Sequence, residues 1–370
     1  MQTVHLSRLP RARVAYYVLL LGLIPLAQAQ WPARQLENFF PAWDHYLRDL
    51  IATKCSNVLA ADLQAITWAP YDTIECLLDA FPEYRKSEIG ASSVALGLLP
   101  TMLSLLGPSI TDQAVLATRR PFLSLLLATG SPAVNPQLDD EYTASIEKKL
   151  CLRKAASEQS RNAQVSSTRI FVVSLVEHVA AIGAVVNVVI LAYQLSIFTV
   201  TSFSVKFGYL PAVWVGLSIP IHLASYVALR LRMKKPERKE GNGRDNDLFS
   251  FWAASFAAEF TPCEYHQPKT LEWGDEDQLH YKAGRALTWL LNFGIVAHII
   301  FGTLTLSGLL FISAADAIGV VARFFASTLV SQWIFAYELS GIEKTTFLKG
   351  SVSTPPHPSA TSLGMVTTAV

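Results

Sequence analysis

The sequence predicts an all-α integral membrane protein, a helical bundle of about five spans with a small N-terminal domain on the lumenal or extracellular side. Hydrophobic residues make up 51% of the 370 residues and charged residues only 16%, and the mean hydropathy is +0.32. The apolar residues are concentrated in long blocks, each long enough to cross about 30 Å of hydrocarbon as a helix. Two loops rich in Lys and Arg agree on one orientation for these spans, because basic loops stay in the cytosol.

The N-terminus has the three parts of a secretory signal. A basic start with three arginines precedes an apolar stretch at 14–27, and the small-x-small triplet Ala-Gln-Ala follows at 27–29. We expect residues 1–29 to be a signal peptide that is cleaved before Gln30. The protein would then enter the secretory pathway and reside in the plasma membrane or an endomembrane. The alternative is an uncleaved signal anchor that stays as an extra span.

Residues 30–88 are predicted to form the lumenal or extracellular domain. Acidic residues outnumber basic ones in this segment, and its short apolar stretches indicate short helices rather than a large core. Cys55 and Cys76 would face an oxidising compartment, where we expect them to form a disulfide. The alternative is two buried thiols. The other two cysteines, Cys151 and Cys263, fall in segments that are predicted to be cytosolic.

The first span is predicted at 89–110, which contains no charged residue and has Pro100 near its middle as the cause of a kink. Residues 111–168 have an excess of Lys and Arg, so they are predicted to form a cytosolic loop. Within that loop the apolar run 121–129 is too short to span. We expect this run to pack on the bundle or lie at the interface, rather than to form a re-entrant loop.

The second and third spans are predicted at 170–193 and 208–229, and the short link between them forces an antiparallel hairpin. Span three leads into the densest basic cluster of the chain: Arg230, Arg232, Lys234, Lys235, Arg238 and Lys239. This cluster opens a second cytosolic loop at 230–285. Inside the loop, residues 248–260 carry one helical stripe of aromatic side chains: Phe249, Trp252, Phe256 and Phe260. The stripe predicts a helix in the membrane interface, or alternatively an amphipathic helix that docks on the spans.

The C-terminal part of the chain supplies the last spans. Span four is predicted at 286–313 and span five at 317–339, although Arg323 interrupts the latter. Near the outer end of a helix an arginine can extend its side chain to the headgroups. If Arg323 does not, the segment is an interfacial helix. Residues 340–370 are rich in Ser, Thr and Pro without periodicity, which predicts a disordered tail.

Three stretches, ECLLD at 75–79, RKSEI at 85–89 and ASSVALGLLPTM at 91–102, resemble uncharacterised multi-pass membrane proteins of filamentous ascomycete fungi. The most specific part of the resemblance covers residues 75–107, and the later order of spans and basic loops is also similar. The resemblance implies a signal sequence and several spans. It carries over no activity and no functional residue.

The sequence contains no motif of soluble enzymes: no phosphate-binding P-loop, no dinucleotide-binding glycine motif, no zinc-protease helix and no serine nucleophile elbow. The net charge of +1 gives no reason to expect a nucleic acid partner, and no cofactor is indicated. The leading hypothesis is therefore a non-enzymatic adaptor or sensor, with the lipid bilayer as its surroundings and protein partners at its cytosolic loops or tail. The alternatives are a small transporter or channel subunit, and an intramembrane metal enzyme.

Both alternatives depend on polar residues inside the predicted spans, where each such residue costs a few kcal/mol. The candidates are Glu177, His178, His222 and His298. At a rise of 1.5 Å per residue, His178 and His222 lie about 12 and 11 Å from the cytosolic ends of their spans, so we expect them to meet across the hairpin. His298 lies about one turn deeper. Together the four could bind a transition metal or relay protons. Alternatively, each makes one interhelical hydrogen bond and nothing more.

Overall fold

The computed structural model describes residues 36–64, 71–137, 139–151, 167–203, 207–234 and 258–349. The predicted signal peptide, most of the predicted interfacial helix at 248–260 and the tail beyond 349 lie outside these described residues. Most of the described residues are helical and very few are in strands, which confirms the predicted all-α bundle.

The N-terminal domain consists of short helices around an aromatic core. Helix α1 (Asp44–Leu50) continues through a π-helical turn (Ile51–Cys55) into α2 (Ser56–Gln64), and α3 (Tyr71–Ala80) packs beside them. Cys55 in the π turn and Cys76 in α3 form a disulfide with a Cα–Cα distance of 6.0 Å. The core of this domain is a cluster of buried apolar side chains that includes Trp43, Leu47, Leu77 and Phe81. Phe311, from a connection far along the chain, completes the cluster and ties the domain to the bundle.

The rest of the chain has nine α-helices whose bounds lie within the described residues: α4 (Glu83–Leu106), α5 (Ile110–Ala117), α6 (Pro121–Gly130), α7 (Asp139–Cys151), α8 (Ser167–Ile197), α9 (Leu210–Gly216), α10 (Ser218–Arg232), α11 (Leu279–Ser307) and α12 (Ala314–Thr345). A short 3-10 helix (Cys263–Tyr265) lies between α10 and α11. Five segments of the described chain are long and apolar enough to cross a membrane, namely α4, α8, α9 with α10, α11 and α12. This confirms the number of spans that the sequence predicts. Pro100 lies inside α4, as predicted.

The fifth span accommodates Arg323 through hydrogen bonds to its neighbour α8. The Arg323 guanidinium donates to the side-chain oxygens of Asn187 at 3.0 Å and of Gln194 at 3.1 Å. Because these side chains accept hydrogen bonds from the Arg323 guanidinium, α12 runs without a break from Ala314 to Thr345. The helix therefore continues beyond the predicted end of span five at 339, and residues 340–349 do not belong to a disordered tail.

Exposed apolar side chains form a belt around the bundle. On α8 they extend from Phe171 to Tyr193, and on α12 from Ile318 to Tyr337. At 1.5 Å per residue these stretches are about 33 and 29 Å long, which matches the hydrocarbon thickness of a bilayer. We call the end that carries the disulfide domain the disulfide end. The opposite end, which carries Arg230, Arg232 and Lys234 and is predicted to be cytosolic, is the basic end.

Helices α5 and α6 form a helical hairpin among the spanning helices. Helix α6 packs against α8, α10 and α12, and α5 packs against α10. At the end of α6, a Cβ on Gly130 would lie 3.0 Å from the Ser331 hydroxyl and 3.1 Å from the Ala184 methyl, so only small residues allow this approach. Ser331 is about 21 Å along α12 from Thr345. The turn of the hairpin lies at the basic end, where Arg119 contacts Thr345 and Gln267. The other ends of both helices lie inside the bundle, since the Leu106 oxygen just before α5 accepts a hydrogen bond from Gln332 of α12. Helix α6 therefore packs within the bundle, where we expected a loop layer.

The basic end is closed by a small sheet. Strand β2 (Lys269–Glu272) pairs in parallel with β4 (Thr346–Lys349), which continues directly from α12. A bridge between Met233 and Trp273 joins β2 to the end of α10. At the disulfide end, β1 (Val200–Thr201) pairs with β3 (Leu309–Leu310).

Candidate functional site

A buried cluster of charged side chains lies at the basic end of the bundle, where α6, α8 and α12 meet. At its centre, Arg120 directly precedes α6 and has no exposed surface. Its Nη1 atom lies 2.5 Å from the Glu177 carboxylate of α8 and 2.8 Å from the Glu338 carboxylate of α12. Both carboxylates are also buried. The guanidinium also donates hydrogen bonds of 2.8 Å to the Ser174 hydroxyl and to the backbone oxygen of Glu259.

Glu259 brings a third carboxylate to the same place. Its side chain accepts hydrogen bonds from the backbone N–H groups of Phe122 at 3.2 Å and Leu123 at 2.7 Å, so it caps the N-terminus of α6. Burial raises the pKa of this carboxyl, and the two N–H donors partly oppose that shift. His178 lies with its Nε2 atom 3.9 Å from Glu259. We call Arg120, Glu177, His178, Glu259 and Glu338 the charge cluster.

His178 is held in a fixed orientation within the charge cluster. Its Nδ1 atom lies 2.8 Å from the backbone oxygen of Ser174, so that nitrogen carries a proton and donates it. The ring stacks on Phe260 and Phe122, with centroid distances of 4.9 and 6.2 Å. Nε2 is thereby aimed toward Glu259. Phe260 belongs to the aromatic stripe at 248–260, and at least this end of the stripe docks on the bundle.

Residues 258–266, which we call the docking segment, are attached to α12 through the charge cluster. The backbone N–H of Cys263 donates to the Glu338 carboxylate at 3.1 Å, and the Thr345 hydroxyl donates to the backbone oxygen of Cys263 at 3.0 Å. Gly341 permits this contact, because a Cβ there would lie only 2.5 Å from the backbone nitrogen of Glu264. Glu264 also forms an ion pair of 2.6 Å with Lys344.

Two further titratable groups of the docking segment, the Cys263 thiol and the His266 imidazole, are shifted by burial. Burial raises the pKa of the Cys263 thiol above its usual range, and Glu338 adds to that shift, so the thiol is not a nucleophile. Burial lowers the pKa of His266. The His266 Nε2–H donates to the backbone oxygens of Ala258 and Thr261, at 3.0 and 2.9 Å, so this imidazole is a structural donor.

The charge cluster contains more acid than base. Three carboxylates face one guanidinium, and the α6 N-terminus supplies a further positive charge of about one half, which Glu259 uses. Two carboxylates, Glu177 and Glu338, then share Arg120. An uncompensated buried charge costs several kcal/mol, and a bound proton removes that cost. Within the charge cluster, the Oε1 atom of Glu177 and the Nε2 atom of His178 are buried without a hydrogen-bond partner. Either atom can therefore accept the proton.

The structure brings two of the four predicted site residues together. Glu177 and His178 belong to the charge cluster, whereas His222 and His298 lie elsewhere in the bundle. The predicted meeting of His178 and His222 is not found among the contacts of the described residues. Helix α6 packs against both α8 and α10, and the His178 ring stacks on Phe122 and Phe260. His222 is buried on α10. His298 donates from Nε2 to the backbone oxygen of Trp214 at 2.7 Å and stacks on its ring, which matches the single interhelical hydrogen bond considered as the alternative.

A metal centre has no geometric support in the described part of the chain. No group of three or more His, Cys, Asp or Glu side chains there is arranged to hold a metal ion. The donor set of the charge cluster is also unsuited to a metal, because a buried arginine occupies its centre.

The sequence analysis missed Arg120, Glu259 and Glu338. Arg120 was counted with the basic residues of a cytosolic loop, although its position directly before an apolar helix was a usable signal. Glu338 stands near the end of an apolar span without a basic residue four positions away, which marks an intramembrane carboxylate that needs a distant partner. Glu259 gave no such signal.

These features define a class of protein: a multi-pass α-helical membrane protein with a buried charge cluster inside one end of its bundle. Comparisons with protein-family models, with curated proteins and with solved structures find no match to this chain. The resemblance to fungal membrane proteins stays a prediction.

Proposed function

We propose that the protein is a non-enzymatic membrane sensor in which the charge cluster binds one proton and controls the docking of residues 258–266. The observation that carries this proposal is the excess of buried carboxylates at the point where the docking segment attaches. Glu338 has two roles there, since it pairs with Arg120 and accepts the N–H of Cys263. A change in its charge state therefore acts directly on the contact that holds the segment.

The direction in which pH changes the docking of residues 258–266 follows from the balance of charges in the cluster. With one proton bound, Arg120 compensates the remaining carboxylate and the docked state is favoured. When the pH rises and the proton leaves, the carboxylates of Glu177, Glu259 and Glu338 repel one another in a poorly solvated site. Undocking relieves that repulsion, because it hydrates the carboxylates and moves Glu259 away. The released segment and the adjacent basic loop would then be available to a protein partner.

Other charged groups near the docking segment do not supply this response. Lys344 and Glu264 form their own ion pair, and Arg119 is bonded to backbone oxygens of Thr345 and Gln267. Burial raises the pKa of Cys263 and lowers that of His266, so in both groups it favours the uncharged form. The proton is therefore assigned to the charge cluster itself, on Glu177, Glu338 or His178.

The test is hydrogen exchange of the backbone amides in residues 258–266 of the full chain in lipid nanodiscs, corrected for the intrinsic pH dependence of exchange. In the wild-type protein we expect protection to fall as the pH rises. In Glu338→Gln, which removes one negative charge and keeps an oxygen acceptor, we expect protection to persist at high pH. Glu276→Gln removes the same charge from an exposed loop and should behave like the wild type. Identical profiles for Glu338→Gln and the wild type would contradict the proposal.

Proton-coupled transport is the second candidate, and the α5–α6 hairpin favours it. Helix ends inside a bundle expose backbone groups where transporters place their ion sites. An assay in liposomes that carry a pH gradient distinguishes the sensor function from the transporter function. A sensor leaves the gradient intact, whereas a transporter dissipates it, and Glu338→Gln should abolish that dissipation.

A further inference from the structure

Three basic side chains from separate elements lie at the basic end: Arg119 after α5, Arg230 in the last turn of α10 and Lys269 in β2. The bridge between Met233 and Trp273 joins the end of α10 to the end of β2, and the charge of Arg230 acts on Lys269. Lys269 is the register partner of Thr346 in β4. Arg119 donates to the hydroxyl of the same Thr346 at 2.8 Å, and to the backbone oxygen of Gln267 at 3.1 Å. Arg119 and Lys269 therefore flank one residue. The tertiary structure creates this group, because its members are more than 35 residues apart in sequence.

The positive charge of this group is not compensated within the described chain. Burial, together with the charges of Arg119 and Arg230, lowers the pKa of Lys269. Among the described residues, no carboxylate lies within ion-pair distance of Lys269 or Arg230; the nearby carboxylates of Glu272 and Glu264 pair with Lys234 and Lys344 instead. Like charges that are held together in this way raise the free energy of the protein, and a bound anion would lower it.

The group lies beyond the hydrocarbon, on the aqueous side of the lipid headgroups. The apolar belt of α12 ends at Tyr337, and Thr345 lies eight residues further, about 12 Å along the helix axis. The headgroup layer extends about 5–8 Å beyond the hydrocarbon on each side. The basic group therefore lies about 4–7 Å beyond the outer edge of that layer. A phosphodiester in the lipid backbone lies closer to the hydrocarbon, whereas a phosphate on an inositol ring projects to this distance.

We propose that Lys269, Arg230 and Arg119 bind the phosphorylated inositol headgroup of an anionic lipid. Lys269 and Arg230 donate hydrogen bonds to the phosphate, since no carboxylate occupies either side chain. Arg119 contributes charge, because its own donors are used by Thr346 and its neighbours. Basic pockets between spans on the cytosolic side are suited to such headgroups. This site is separate from the charge cluster and does not depend on the proposed sensor function.

The test measures lipid retention by native mass spectrometry of the full chain, released from nanodiscs in which both leaflets are accessible. One set of nanodiscs contains phosphatidylinositol 4-phosphate, and a second contains phosphatidylserine at the same total charge. We expect preferential retention of the phosphoinositide. Lys269→Gln should weaken it about fivefold, the factor for one basic group near a charged surface, and Lys269→Arg should retain it. The control Lys282→Gln removes an exposed lysine that faces Asp277 at 3.7 Å.

Three outcomes would overturn the proposal. One is equal retention of the two anionic lipids at matched charge, which would indicate a non-specific surface potential. Another is an equal loss for Lys282→Gln and Lys269→Gln. The third is full competition by millimolar inorganic phosphate, which would assign the site to a free anion instead of a lipid. Should Lys269→Gln misfold, Arg230→Gln tests the same site, because Arg230 is exposed and its recorded contact is with the ring of Tyr226.

Discussion

Replacement of Arg120 by methionine is expected to lower the free energy of unfolding by about 3–5 kcal/mol, because it removes one partner from a buried ion network. Glu177 and Glu338 would be left buried with no compensating charge, and the docking segment would lose the bond from Arg120 to the Glu259 backbone oxygen. The measurement is denaturant-induced unfolding in detergent micelles, followed by tryptophan fluorescence.

A matched control is Arg48→Met, which removes an arginine from an exposed ion pair with Asp44. Exposed ion pairs contribute about 0.2–1 kcal/mol to the free energy of unfolding, so the stability of this variant should be close to that of the wild type. The triple variant Arg120→Met, Glu177→Gln, Glu338→Gln should recover most of the lost stability, because no uncompensated charge remains. A triple variant no more stable than Arg120→Met would show that the network acts by packing and not by charge.

Removal of the Cys55–Cys76 disulfide is expected to lower the stability of the N-terminal domain by about 3 kcal/mol. The two cysteines are separated by 21 residues, and closing a loop of that length in the unfolded chain gives a stabilisation of this size. In Cys55→Ser, Cys76→Ser we expect proteolytic cleavage within α1–α3 at a temperature at which the wild type is resistant. The spanning helices should remain protected, because the buried cluster at the basic end of the bundle contains no residue of this domain.

The control for this prediction is treatment with a reducing agent. Reduction should make the wild type as sensitive as the double serine variant and should leave that variant unchanged. Equal resistance of the oxidised and reduced wild type would contradict the prediction, and would mean that the aromatic core around Trp43 and Phe81 stabilises the domain alone.

The number of spans could be read from the sequence because crossing a membrane depends on length and hydropathy, which are local properties. The structure confirms five such segments, including α12 with Arg323. Their ends were less predictable. Helix α12 extends to Thr345 because Gly341 and Glu338 contact residues near Cys263, and a contact between positions more than 70 residues apart leaves no local pattern.

The sequence by itself determined that this is a membrane protein, that it has five helices able to span the membrane, and which end of the bundle carries the basic residues. Only the tertiary structure decided which polar residues form a site. Glu177 and His178 could be selected from the sequence because a polar residue in an apolar span is conspicuous, but His222 and His298 are equally conspicuous and lie apart from them. Arg120 lies in a predicted cytosolic loop and Glu259 in the predicted interfacial helix at 248–260, and neither segment indicated a buried site. A buried charge needs a compensating charge in space, and the pairing depends on how the α5–α6 hairpin packs within the bundle, which short-range sequence patterns do not encode.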